Sequence, residues 1–313
     1  MDANQSIKLM NLPRDFRGPR RIMQIWVTRS CDKACFNCTQ GSNLVGKPYR
    51  ISPEQFETAC KSLKGYPGVI AMFGGNPCIH PNFEALCEIA RKEIPYRQRG
   101  IWTNNLLGKG GVCRSTFYPG SCNFNVHMDS KAAKEFEKTW PETRGKIKGL
   151  NNDCGHSPVF VSMKDLEDLS ESSMWEAISR CDINKKWSPM IGVFRNKLRG
   201  WFCEVAGSQS IQCQEIQNYP DTGVAIKPNW WKLGLESYGD QILQHCPNCA
   251  VPLRGRGQLA VGGTYQQSSK AYEHCRPRKG KVEVIENLVQ LKCDTVKSFT
   301  AYSSNWKHQV NEG

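Results

Sequence analysis

Short apolar runs alternate with helix-like stretches from about residue 22 to 180, and this alternation predicts a parallel strand-helix architecture. Five runs read as strands, at residues 23–28, 69–73, 99–103, 123–128 and 158–163. Helices are expected between and after them at 52–63, 81–92, 130–140 and 170–180. The first of these opens on Ser52-Pro53-Glu54-Gln55, a cap residue with proline at the first helical position and glutamine three residues after the cap. A sixth strand is not readable. Beyond Arg180 the texture changes to turns, aromatics and cysteines, with a hairpin-like segment at 190–202. We therefore expect a basic extension over 1–21, the strand-helix unit over 22–180, a small cysteine-rich α+β domain over 181–260 and a C-terminal extension over 261–313.

Composition narrows the class. The 313 residues are 39% hydrophobic and 23% charged, ordinary for a soluble globular protein. No run approaches the roughly 18 apolar residues of a membrane span, and the first ten residues lack a signal core, so a cytoplasmic protein with no membrane partner is expected. Sixteen cysteines scattered through a chain of this length fit a reducing compartment better than a disulfide scaffold. Cys60 and Cys87, on helix-like stretches, read as small buried hydrophobes. The net charge of +13 is locally concentrated, at Arg14, Arg17, Arg20 and Arg21 and at Arg276-Pro-Arg-Lys-Gly-Lys281, and favours an anionic partner such as nucleic acid or a phosphorylated small molecule.

The chemistry is concentrated at strand ends. Just after the first strand stands Cys31-Asp-Lys-Ala-Cys35-Phe-Asn-Cys38, three thiols that can hold three irons of a four-iron cluster and leave the fourth iron open. Close cysteines also serve zinc, which is the competing reading. Phe73-Gly74-Gly75-Asn76-Pro77 follows the second strand, Thr103-Asn104-Asn105 the third, and Phe124-Asn-Val-His127-Met-Asp129 the fourth. In this order the motifs resemble those of the radical S-adenosylmethionine (SAM) enzymes, and the resemblance implies that the α/β unit is that family's partial (β/α) barrel, abridged here by the unread sixth strand. The resemblance implies a [4Fe-4S] cluster on Cys31, Cys35 and Cys38 and SAM on its open iron. It further implies SAM contacts from Phe36, Asn37, Gly74, Gly75, Asn76, Pro77, Thr103, Asn104, His127 and Asp129. The chain departs from the family's Gly-Gly-Glu-Pro motif in having Asn76 at the glutamate, which keeps an acceptor oxygen and loses a charge. It departs again in placing Asn37, not an aromatic residue, before the third cysteine.

A second cysteine set follows: Cys181, the hairpin, Cys203, an insertion, then Cys246-Pro-Asn-Cys249. Four thiolates can fill every position of a second four-iron cluster. The order resembles the twitch domain, the shortened relative of the SPASM domain, of radical SAM dehydrogenases acting on aminocyclitols and of some peptide-maturing enzymes. The alternative is structural zinc on Cys203, Cys246, Cys249 and either Cys213 or Cys275. Trp230 and Trp231 beside lysines, and Arg254 and Arg256, are candidates for stacking on and clamping a substrate, against the plainer reading of tryptophans as domain packing. Lys164, past the fifth run, is a candidate base or anion clamp, against the default of a solvated lysine.

Together these imply an enzyme that cleaves SAM reductively and draws hydrogen from an anionic, nucleotide- or sugar-like small molecule. The second cluster would accept an electron or position the substrate. A flavodoxin- or ferredoxin-type electron donor is the implied protein partner, and nucleic acid is a candidate substrate. Two other readings stand beside it: maturation of a ribosomally made peptide, and a non-catalytic zinc-knuckle protein that binds nucleic acid.

Overall fold

A computed structural model describes residues 1–11, 22–46, 48–127, 129–143, 155–156, 158–181, 189–253, 258–259, 265–267, 272 and 274–288. Its centre is a mixed α/β sheet. The strands are β1 (Ile22–Thr28), β2 (Val69–Gly74), β3 (Arg99–Thr103), β4 (Asn123–Phe124), β5 (Gly155–His156), β6 (Met190–Phe194), β7 (Lys197–Trp201), β8 (Val224–Ala225), β9 (Gln258–Leu259), β10 (Tyr265–Gln267) and β11 (Val282–Val284). Seven of them form one sheet in the order β4-β3-β2-β1-β6-β7-β8, while β5 pairs with β9 and β10 with β11.

From β4 to β6 all neighbours are parallel, and β6, β7 and β8 continue antiparallel. All seven residues of β1 are buried, as expected of a central strand covered on both faces. The helices are α1 (Ala3–Asn11), α2 (Pro53–Ser62), α3 (Phe83–Glu93), α4 (Gly110–Thr116), α5 (Ser130–Thr139), α6 (Glu171–Ser179), α7 (Glu204–Cys213) and α8 (Gly239–His245). Each of α2, α3 and α4 packs on its successor, so the crossover helices form a continuous row.

Local chemistry accounts for most of these elements. Ser52 and Gln55 form the reciprocal capping box of α2, with Gln55 N donating to Ser52 Oγ at 3.2 Å and Ser52 N to Gln55 Oε1 at 3.0 Å. In α3, Phe83, Leu86, Cys87 and Ala90 are buried at the spacing of one helical face. Phe136 of α5 stacks on Phe124 of β4 with ring centres 4.3 Å apart. The β6–β7 hairpin turns on Arg195 and Asn196, both left-handed at φ 44° and 67°, the turn whose twist suits a two-residue hairpin.

Two expectations are corrected. Residues 158–163 are not a strand: Val161 N bonds to Pro158 O at 3.3 Å in a turn, and a 3-10 turn follows at Met163–Asp165. Val159, Phe160, Val161 and Met163 are fully buried all the same. The side chain of Gln209 takes the Val159 carbonyl at 2.8 Å, a bond that a ladder would otherwise make, so an apolar run could be buried without a neighbouring strand. The fourth strand is only Asn123–Phe124, shorter than the expected 123–128, and Met128 lies outside the described residues. β6 lies directly against β1, pairing Gln24 with Met190 and Ile25 with Ile191. Cys60 and Cys87 are buried.

Candidate functional site

Cys31, Cys35 and Cys38 occupy the loop that leaves the carboxyl end of β1, where ligands of parallel strand-helix sheets collect. Cys35 and Cys38 are buried against each other, and Cys31 is half-buried. Burial pushes the Cys31 thiol up to about 12; the Lys33 N–H and the charge of Arg278 act against this, while a Cys38 thiolate would add to it. Asn37 adopts a left-handed backbone at φ 51°, which asparagine tolerates better than most side chains, and is buried. Phe36 packs on Gly280, where a Cβ would fall 2.3 Å from the ring.

The neighbouring motifs converge on this loop. Gly75 N donates to Thr28 O at 2.9 Å and Asn76 N to Ser30 O at 2.8 Å, zipping the end of β2 to the start of the cysteine loop. This contact requires the glycines, since a Cβ on Gly74 would lie 2.2 Å from Thr28 O and one on Gly75 2.4 Å from Ser30 O. Pro77 is buried at the start of the next turn. Asn76 is wholly buried and saturated. Its Oδ1 accepts from Cys78 N at 3.0 Å and Thr103 Oγ1 at 2.8 Å, and its Nδ2 donates to Asp32 Oδ1 at 2.9 Å and Asn105 O at 3.0 Å. The acceptor oxygen expected at position 76 is therefore spent inside the protein.

Asn104 Nδ2 donates to the same Asp32 oxygen at 3.0 Å, and its Oδ1 lies 3.8 Å from Cys31 Sγ. His127 has a left-handed backbone at φ 48°. Asp129 caps α5, accepting from Lys131 N and Ala132 N at 3.1 Å, and pairs with Lys33 at 2.6 Å, which ties α5 to the cysteine loop. The Lys33 bond and the cap hold its carboxyl below the usual range.

A basic strap also lies on this loop. Val45 N donates to Arg276 O and Arg278 N to Asn43 O, both at 2.6 Å, and Arg278 also reaches Ser42 O. The stretch 276–281, singled out in the sequence only as a run of charge, thus brings Arg278 beside Arg29 and Cys31.

The second cysteine set converges elsewhere. Cys181, Cys203, Cys246 and Cys249 line one small apolar cavity together with Met10 of α1, Phe202 and His245. Burial raises the thiols of Cys203, Cys246 and Cys249, and each would be raised further by a charge on Cys181. In this apolar cavity burial favours the protonated form of Cys203, Cys246 and Cys249, and a cation among the four sulfurs would reverse that preference, so the donor set fits a metal group. Cys213 and Cys275 do not line the cavity; they meet His274 Nε2 instead, at 3.4 and 3.5 Å. Among the described residues no three His, Cys, Asp or Glu side chains converge tightly enough to hold a single metal ion. A four-iron cluster spaces its ligand sulfurs more widely than one ion does.

The remaining candidates are dispersed. Trp230 is buried, packs on Gly200, where a Cβ would come within 2.4 Å of its ring, and donates to Ser62 Oγ at 3.3 Å. Trp231 meets Tyr66 edge-on at 5.3 Å and carries Lys232 over its ring. Lys164 is exposed on its 3-10 turn. Arg254 and Arg256 lie outside the described residues, as do Arg14, Arg17, Arg20 and Arg21.

Two acids emerged only from the structure. Asp32 is the meeting point of the first three strand ends, and its place after Cys31 is the one signal the sequence offered. Glu204, beside Cys203, is buried against Gln24 of β1, whose Nε2 donates to Glu204 Oε2 at 2.7 Å. No helix among the described residues is long and apolar enough to cross a membrane.

No family model matches the chain, and no curated protein matches its sequence. Among solved structures, the crystal structure of BtrN in complex with AdoMet and 2-DOIA aligns with 83% of this chain and 100% of its own at 14% identity and a TM-score of 0.46.

Proposed function

We propose that this chain is a radical SAM enzyme with a second iron–sulfur cluster. The observation that carries the reading is the division of seven cysteines into two places: three on the loop at the end of β1 and four around one cavity beside β7 and α7. Cys31, Cys35 and Cys38 would hold the first cluster, and Cys181, Cys203, Cys246 and Cys249 the second. When bound, the first cluster supplies the electron that splits SAM into methionine and a 5'-deoxyadenosyl radical, which removes a hydrogen atom from the substrate.

This chain's own residues hold and orient. Asn76 and Asn104 fix Asp32 beside the cysteine loop, and Lys33–Asp129 closes the loop onto α5. Arg278 acts on both Cys31 and Arg29, so positive charge gathers at the cysteine loop, which supports an anionic substrate or an acidic flavodoxin- or ferredoxin-type electron donor at this end of the sheet.

Metal analysis of anaerobically reconstituted protein tests the reading. We expect about eight irons and eight sulfides per chain, and about half of each after Cys31, Cys35 and Cys38 are all replaced by Ala. Dithionite and SAM should yield 5'-deoxyadenosine from the parent protein and none from Cys35→Ala. A protein that binds two zinc ions and no iron would overturn the assignment and favour the zinc-knuckle alternative.

A further inference from the structure

We propose that Asp32 is the carboxylate that receives the amino group of SAM. The inference rests on the SAM reading above. Asn76 cannot take the role, because both its polar atoms are already engaged twice within the protein.

Two of the bonds around it have a purpose. Asn76 Nδ2 and Asn104 Nδ2, from the ends of β2 and β3, both donate to Asp32 Oδ1, at 2.9 and 3.0 Å. Two amides on one oxygen fix the carboxylate in orientation without neutralising it. Its other oxygen, Oδ2, accepts no hydrogen bond among the described residues, and the side chain is exposed. The cation next in sequence, Lys33, is committed to Asp129 at 2.6 Å and forms no ion pair with Asp32.

An oriented carboxylate with one open oxygen and no ion pair among the described residues is an acceptor for an amino group. It directly follows Cys31, whose sulfur is 3.8 Å from Asn104 Oδ1, so one side chain touches both the thiol and the acid. A ligand held by the three-thiol loop meets this carboxylate. The buried asparagine at position 76 thus orients an acid supplied by the neighbouring loop and supplies no acid itself.

The test is SAM binding to the cluster-loaded protein, measured by equilibrium dialysis alongside iron content. An analogue of SAM without its α-amino group serves as the second probe. Asp32→Ala should weaken SAM about tenfold to a hundredfold, the range of a hydrogen bond to a charged group, and leave the analogue's affinity unchanged. Asp32→Asn keeps an acceptor for both amides and loses only the charge, so it should fall between the two; if Asp32→Ala loses iron, Asp32→Asn decides. Unchanged SAM affinity in a fully loaded variant would overturn the proposal, as would equal weakening of SAM and analogue, which marks a merely structural role. Failure of the parent protein to load iron or bind SAM would instead overturn the underlying reading, and this proposal with it.

Discussion

Burial raises the Glu204 carboxyl to about 7, against which the bond from Gln24 works, and the Oε1 of Gln24 is itself buried with no partner. The sign of the pH dependence follows. Below the unfolded chain's carboxylate range both states are protonated. As pH rises from there towards 7 the unfolded chain ionises while the folded one keeps its proton, so stability is lost across that window and then levels off. Glu204→Gln should remove this loss and leave the protein more stable than the parent at pH 8, by an amount of the order of 3 kcal/mol at most, with little difference at pH 4. Denaturant unfolding at the two pH values measures it, and an unchanged difference between them would count against a neutral Glu204. Little of this was legible in the sequence. The cysteine spacing is a local property and could be read, whereas the partners of Asn76, Asp32 and Glu204 come from strands and loops distant in the chain.

At the scale of elements, strong periodicity and caps were readable and isolated apolar runs were not. The helices beginning at Pro53, Phe83, Ser130 and Glu171 lie where the pattern put them, each preceded by a polar cap or turn residue. The run 158–163 carries the same apolar signal as a strand, but its carbonyl is met by a glutamine from α7, a fact no window of sequence contains. The 3-10 turn Trp230–Lys232 makes the same point about packing, since Trp230 rests on Gly200 of β7 and reaches Ser62 at the end of α2. Trp230→Ala should cost roughly 3–5 kcal/mol of stability, read as a lowered thermal midpoint, while SAM binding to the folded protein is unchanged. A large loss of substrate affinity without loss of stability would return this tryptophan to the binding site.

For the molecule as a whole, one sheet carries an approach to each cysteine set: β1 leads into the loop of Cys31, and β7 ends two residues before Cys203. If they hold separate clusters, Cys246→Ala with Cys249→Ala should lower iron to about half and keep 5'-deoxyadenosine formation while stopping product formation. Loss of SAM cleavage in that variant would mean that the two sites are not independent. The pairing of β6 with β1 has a consequence for timing. Trp201, two residues before Cys203, is level with Gln24 through Met190, and the first loop begins beyond Thr28, four residues on, about 13 Å at the rise of a strand. What spans that interval is a single fully buried strand. An electron passing from one end to the other would travel within one hydrogen-bonded sheet, a route that calls for no domain closure. Its rate should therefore be indifferent to solvent viscosity, where a transfer gated by domain closure would slow as glycerol is added.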